Sequence, residues 1–454
     1  MARRPAAGPP RPYHFPRFGR RRLTNGLQLI VAPVHELPVV TVMAVVEAGA
    51  GTERVEQAGV AALTVRALLE GTRHRDADAL ADALESLGTS LDVDVDWDTA
   101  IVDLTVLPGR LEAALQLLGE VVLEPAFPTR SVERLKAERL AELLQLRTEP
   151  RGLATETFER LLYVSGSRYG EPQHGSADSV VRLTVQDLRR FHETRFQPGG
   201  MTLVVVGDTT VDEAERLTRG IFGARAAGVP PLVQVSDAPA STARQVHLVR
   251  KDDAVQSELR IGHVGLPRRS PEYFPVVVMN AILGGLFSSR INLNLRERHG
   301  YTYGAFSSFD WRRHAGPFVV STAVQSEVTG AAIAEVIAEI ERMRAEEVSD
   351  EELSLATSYL GGVFPIRYET TAAIARGLAA MMVYDLPPDY FDRYRDHIAS
   401  VSTADVHRVA RETLRPEMLQ IVIVGDAGVV TPQLAEQRLS APLLYDTEGR
   451  PISG

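Results

Sequence analysis

The chain repeats itself once, and that repeat limits its fold more than any other feature. Residues 183–208 read LTVQDLRRFHETRFQPGGMTLVVVGD, and residues 401–426 read VSTADVHRVARETLRPEMLQIVIVGD. A constant offset of 218 positions pairs Asp187 with Asp405, Arg190 with Arg408, Pro198 with Pro416 and Gly207-Asp208 with Gly425-Asp426. In each copy a hydroxyl residue, Thr184 or Ser402, caps an amphipathic helix. A proline ends that helix, and a run rich in β-branched residues follows as a buried strand. Two copies at this spacing point to a duplicated domain, since a solenoid needs more copies of a shorter unit. With 454 residues the chain has room for two large domains.

The composition places their limits. Residues 225–245, RAAGVPPLVQVSDAPASTARQ, are rich in Ala, Pro, Ser and Val without helical periodicity. They predict an exposed linker at 226–245 between domains at 20–225 and 246–430, with tails at 1–19 and 431–454. The first domain opens with LTNGLQLIVAP and VVTVMAVVEAG, a hairpin-like pair of strands with Asn25-Gly26 as the turn. Periodicity predicts helices at 59–70, 76–88 and 153–164, with long helices filling 109–147. Alternation in LDVDVDWDTAIVDLTVL, residues 91–107, predicts one or two half-buried strands. Strands and helices do not follow a regular βαβ order. The predicted fold class is therefore α+β, with helices packed on a largely antiparallel sheet, occurring twice.

Several function classes drop out. A formal net charge of −10 disfavours a nucleic-acid partner. The Arg-rich start (Arg3, Arg4, Arg11, Arg17, Arg20, Arg21, Arg22) reads as a solvated tail. Without cysteine there is no disulfide, thiolate metal site or thiol nucleophile, which fits a reducing compartment. The N-terminus carries no apolar core of a secretory signal. The greasiest stretch, Phe274 to Phe287, is interrupted by Pro275 and Gly284-Gly285 and falls short of the ~20 residues a membrane span needs. A cytoplasmic protein away from the membrane is expected, or a periplasmic one if an export signal was removed.

Metal and nucleophile motifs are missing as well. No two of the eleven histidines stand at i, i+4, and the closest pair, His397 and His407, is ten apart. Neither H-E-x-x-H nor H-x-x-E-H occurs, nor does G-x-S-x-G, a P-loop or G-x-G-x-x-G.

One cluster stands out in the second domain: GGLFSSRINLNLRERHGYTYGAFSSF, residues 284–309. It resembles the C-terminal signature of pitrilysin-type peptidases, the inverted zincins that include insulin-degrading enzyme and the mitochondrial processing peptidase. The matching residues are Gly284, Gly285, Ser289-Arg290, Leu295-Arg296-Glu297, Gly300 and Tyr303. The opening Leu23-Thr24-Asn25-Gly26-Leu27, the loop Tyr169 to Gly175 and both Val-Gly-Asp strands extend the resemblance over about residues 20 to 430.

The resemblance implies two domains facing each other across a cavity. It also implies a functional pair, Arg296 and Tyr303, which hold substrate and donate to the developing oxyanion. Active members carry Gly-x-Ala-His-x-x-Glu-His before Gly-Thr, whereas residues 59–72 here read GVAALTVRALLEGT. Ala62, Val65 and Arg66 then stand where His, Glu and His belong, and Glu142 in VERLKAERLAEL (132–143) matches the third ligand position. A lone carboxylate cannot hold zinc. No cofactor is therefore expected on this chain, and zinc is expected in a homologous H-x-x-E-H subunit forming a heterodimer with it. The family's substrate strand adds to a sheet edge. That edge corresponds here to Thr89, Ser90, Leu91, Asp92 and Val93 with the residues up to Val95, and Gly284-Gly285 form a turn at the cavity.

Plainer roles stand beside these. Arg296 can cap its helix or pair with Glu297, and Tyr303 can be a core tyrosine. Gly284-Gly285 can simply end a helix, Glu142 can be a surface carboxylate, and Asp92 and Asp94 can be a solvated face. Convergence of the ligand positions predicts Arg66 and Glu142 within about 4 Å, the guanidinium taking the metal's place and sparing Glu142 from unpaired burial.

The leading expectation is the non-catalytic subunit of a heterodimeric zinc metalloendopeptidase acting on unfolded peptides. Two alternatives remain. One is a structural or assembly protein like the core subunits of the respiratory bc1 complex, and the other is a metal-free peptide-binding module.

Overall fold

Both copies of the repeat fold as their capping residues and apolar runs dictate. The computed structural model describes residues 12–452. Thr184 and Ser402 each form a reciprocal capping box, with Asp187 and Asp405, at the start of the helices Val185–Arg195 and Thr403–Thr413. The strands that follow are buried along their whole length.

Two six-stranded sheets result. The first contains β1 (Gly19–Arg22), β2 (Gln28–Pro33), β3 (Val40–Val46), β4 (Asp92–Val95), β5 (Ala100–Val106) and β6 (Met201–Gly207), in the order β1-β2-β6-β3-β5-β4. The second contains β7 (Gln245–Arg250), β8 (Gln256–Val264), β9 (Ala305–Phe309), β10 (Pro317–Gln325), β11 (Gln420–Gly425) and β12 (Leu443–Tyr445), in the order β12-β7-β11-β8-β10-β9. Antiparallel pairs dominate; β2 with β6, β7 with β11 and β7 with β12 are parallel.

The repeat strands β6 and β11 lie inside their sheets, and this corrects the expected hairpin. Asn25-Gly26 does make a turn, with Gly26 at φ 97°, but the turn closes β1 on β2. Strands β2 and β3 do not pair, because β6 lies between them. A strand apolar on both faces is stable only with a neighbour on each side.

The halves are stitched together by two exchanged helices. One face of the first sheet (Leu29, Val31, Val42, Val205) packs on helices of its own half. The other face (Ile30, Met43, Val204, Val206) joins the core of the second half, where the helix Thr371–Val383 lies against β6 and β3. In return the helix Pro150–Leu162 lies against β11 and β8. It sets Leu153 and Ala154 beside Val249 and Val424, and Phe158 and Leu162 beside Val422.

The seam between the halves is therefore packed rather than open. Arg312 of the second half, 1% exposed, lies over the rings of Trp97 at 4.3 Å and Tyr169 at 4.8 Å and pairs with Asp310 at 2.6 Å. A cavity of only about 50 Å³ remains there, lined in part by Trp97, Tyr169 and His314. At this seam the two halves meet through packing.

Three segments differ from their expected form. The linker is mostly exposed but pinned: Ser236 O accepts from Ser167 Oγ at 2.6 Å, and Asp237 accepts from the Ala315 amide at 2.9 Å. Part of 1–19 is not a tail, because Phe15 is buried and stacks on Phe391 at 4.0 Å. Arg3, Arg4 and Arg11 lie outside the described residues, while Arg20, Arg21 and Arg22 are on β1. In 431–454, β12 extends the second sheet.

The stretch Tyr273–Arg298 also differs. It has the length and composition of a membrane span, with a mean hydropathy of 1.5, and 56% of its most apolar 18-residue window is buried inside the protein. Its residues Val276, Met279, Ile282 and Ile291 belong to the second half's core. Residues 286–289 break its helical run, beyond Gly284-Gly285.

Candidate functional site

The degenerate ligand positions lie on the helix Val60–Ala67, and its frame is built from distant residues. The chain turns into the helix at Gly59, at φ 95°. The amides of Gly59 and Ala61 donate to the Glu53 carboxylate at 3.0 and 2.6 Å. A negative group at a helix N-terminus meets the free N–H groups and the dipole. Arg168 Nε donates to the same carboxylate at 2.7 Å, and both side chains are buried. Burial raises the Glu53 pKa, with the Arg168 charge and the amide donors acting against it.

Arg168 also donates to the carbonyls of Glu171, Pro172 and Gln173 at 3.1, 3.2 and 3.0 Å. Gln173 Nε2 then donates to Val95 O at 2.6 Å, at the end of β4. The loop that matches the family is thus a brace between the helix start and the edge strand.

Between them lies a cavity of about 310 Å³. Ala62, Leu63, Val65 and Arg66 line it together with Val93, Asp94 and Val95 of β4, and Arg139, Glu142 and His174 complete the lining. Arg66 Nη1 is 3.1 Å from Glu142 Oε1, as the convergence argument predicts. Arg139 adds a bond to Glu142 Oε2 at 3.2 Å, and Glu138 stands 3.7 Å from Arg66. Burial works to raise the Glu142 pKa, but the bonds from Arg139 and Arg66 outweigh it and hold the group below its ordinary value. His174 is shifted down, chiefly by burial and then by the Arg139 charge.

The expected reason for the pair needs correcting. Arg66 and Glu142 keep 37% and 45% of their side chains exposed, so the guanidinium does not rescue a buried charge. A pair this open is worth about 1 kcal/mol or less. The residues do not fit a metal: Ala62 and Val65 offer no ligand atom, and Arg66 brings a cation. Among the described residues no three His, Cys, Asp or Glu side chains converge on a metal position.

Strand β4 is the sheet edge, as expected, but it is shorter than expected. Thr89, Ser90 and Leu91 precede the strand. Gly88 turns at φ 72° and the Thr89 amide bonds to Leu84 O at 3.2 Å, so this segment still caps the preceding helix. Asp92 and Asp94 are exposed, which suits the solvated-face role.

In the second half, Gly284-Gly285 are not a cavity turn. Gly284 is buried where its helix crosses β9, and an added Cβ would fall 2.4 Å from Ser307 Oγ and 2.7 Å from Ser307 N. Arg296 follows in the helical segment Arg290–Arg298. Its guanidinium lies 4.4 Å over the Phe287 ring, and Nε is 3.6 Å from Glu297. Tyr303 is 94% exposed and, among the described residues, makes no hydrogen bond. It is not a core tyrosine.

Sequence reasoning missed what holds this segment. Arg290 makes a two-pronged pair with Glu352 at 2.6 and 2.8 Å. Asn292 donates to Phe287 O at 2.6 Å and accepts from the Ala305 amide at 3.0 Å. Asn294 donates to Glu335 at 2.9 Å and Glu339 at 2.8 Å. Glu53 and Arg168 escaped in the same way, since neither stands in a motif that marks its partner. The 310 Å³ cavity is lined by the first half alone, so one chain does not bring Arg296 and Tyr303 into it.

Comparison with known proteins adds to this geometry. Residues 31–166 match the family model for insulinase, peptidase family M16, and residues 182–360 match the model of the peptidase M16 inactive domain. An uncharacterized zinc protease of Mycobacterium leprae is 28% identical over 67% of this chain and 68% of its own length. The non-peptidase homolog YmxG of Helicobacter pylori is 23% identical over 86% of this chain and 90% of its own. The crystal structure of a peptidase M16 inactive domain from Pseudomonas fluorescens superposes with a TM-score of 0.85 at 26% identity, covering 90% of this chain and 98% of that one.

Proposed function

This chain belongs to the M16 peptidase family and lacks its zinc ligands, and from that premise we propose that it is the non-catalytic subunit of a heterodimeric zinc metalloendopeptidase. The partner is a homologous chain bearing H-x-x-E-H and the metal, and the substrates are unfolded peptides. The observation that carries the reading is the state of Tyr303. A tyrosine this exposed, seven residues after an arginine with a third of its side chain exposed, contributes little to its own fold. It is free to serve a site completed by another chain.

In that site the Tyr303 hydroxyl donates to the carbonyl oxygen as negative charge develops, and Arg296 holds the peptide through its planar fork. The kinship with a non-peptidase homolog supports the inactive half of the reading. Fluorogenic-peptide cleavage by this chain, by the H-x-x-E-H chain and by their 1:1 mixture tests it. The expected result is activity in the mixture alone, reduced about 100- to 1,000-fold by Tyr303→Phe or Arg296→Ala. A mixture no faster than the zinc chain alone would reject the proposal in favour of a scaffold or a peptide-binding module.

A further inference from the structure

A second cleft, about 540 Å³, lies on the second half between the start of the helix Tyr273–Asn280 and the loop leading into the helix Tyr390–Ala399. It is independent of the cavity beside β4 and of the Arg296–Tyr303 segment. Its lining mixes aromatic rings (Tyr273, Phe274, Tyr390) with three arginines.

Two of those arginines are balanced and one is not. Arg269 pairs with Asp385 at 3.3 Å, and Arg393 pairs with Asp389 at 3.8 Å. Arg268 is only 8% exposed, and among the described residues no carboxylate lies within ion-pair distance of it. It donates to the Tyr390 hydroxyl at 2.7 Å, and its guanidinium lies 3.6 Å from the Tyr273 ring centroid. A hydroxyl and a ring face solvate a guanidinium, yet they leave its full charge uncancelled in a poorly hydrated site.

One further observation points the same way. Neither helix that begins at the cleft has a side-chain cap, and its first amide, of Tyr273 or Tyr390, donates only to a backbone carbonyl, Ser270 O or Pro387 O. One unbalanced cation, flanked by aromatic walls, calls for one negative charge on a flat or apolar body.

We infer that this cleft binds a monocarboxylate attached to an aromatic side chain, as presented by the C-terminal residue of a peptide. The carboxylate pairs with Arg268 and the side chain lies against Tyr273 and Phe274. Isothermal titration of the full chain, without partner or zinc, tests this with Ala-Ala-Phe, its C-terminal amide and 3-phenylpropionate. The expected result is binding of Ala-Ala-Phe with at least a tenfold loss for the amide. Arg268→Met should cause a similar loss. The exposed Arg393→Glu should also weaken binding, and it keeps the test valid if Arg268→Met fails to fold. Equal affinity for acid and amide, or no binding of the acid at millimolar concentration, would overturn the inference. Affinity for 3-phenylpropionate equal to that for the peptide would overturn the assignment to peptide ends.

Discussion

The two halves of this chain share a sheet order, a repeat helix and a capping box, but their matching surfaces have opposite characters. In the first half the old ligand positions are held by groups that bond one another: Arg66 and Arg139 both donate to Glu142 beside the cavity along β4. In the second half Tyr303 stands open and Arg296 meets only Glu297 and the Phe287 ring, on a segment held by Arg290, Asn292 and Asn294. The frame under the first site is nonetheless intact, with Glu53 and Arg168 buried together and Gln173 tied to β4. A scaffold can lose its chemistry while keeping its support, because support is set by burial and chemistry by a few exposed side chains.

The sharpest way to break this comparison is to restore the first site. The triple change Ala62→His, Val65→Glu and Arg66→His sets two imidazoles next to Glu142. The expected outcome is about one zinc per chain retained through dialysis, read by metal analysis. A protein that stays metal-free would show that the frame no longer presents its helix correctly.

The next largest effect concerns the frame itself. Glu53→Ala leaves Arg168 buried without its partner and should cost about 3–5 kcal/mol in urea denaturation. Adding Arg168→Met should recover part of that loss.

Each half also holds a buried histidine that is pushed far down in pKa, His192 in the first and His263 in the second, and these compare the halves by pH. His192 donates Nε2–H to Val122 O at 2.8 Å; His263 donates Nδ1–H to Val264 O at 2.8 Å and accepts the Arg415 amide at 3.1 Å on Nε2. Burial lowers both from the ordinary 6.5 to about 4. From pH 6.5 down to about 4 the unfolded chain takes up protons that the folded chain refuses. Stability should therefore fall across that window and level off below it, by up to about 3 kcal/mol per histidine. Denaturation curves at stepped pH should show His192→Gln removing one share. An unchanged slope would mean that His192 does not titrate in this way.

Smaller effects follow at the exposed positions. Arg66→Ala should change stability by about 1 kcal/mol or less. Arg296→Ala and Tyr303→Phe should change it by less than about 0.5 kcal/mol in the same assay. A large loss of stability from Tyr303→Phe would remove the contrast between the halves.

The sequence by itself determined the duplication, the capped repeat helices, the buried strands and the loss of the ligand residues, because each is written in local periodicity or in a compact motif. The meeting of Arg66 with Glu142 was also legible, since the motif positions converge. Only the tertiary structure decided that β6 separates β2 from β3 and that the halves exchange the helices Pro150–Leu162 and Thr371–Val383. It alone joined Glu53 to Arg168, set Arg312 between Trp97 and Tyr169, and placed Arg268 in an aromatic cleft whose two acids pair with other arginines. These pairings link residues far apart in the chain. Their energy comes from burial and charge balance among distant segments, which leave no periodic trace in any one of them.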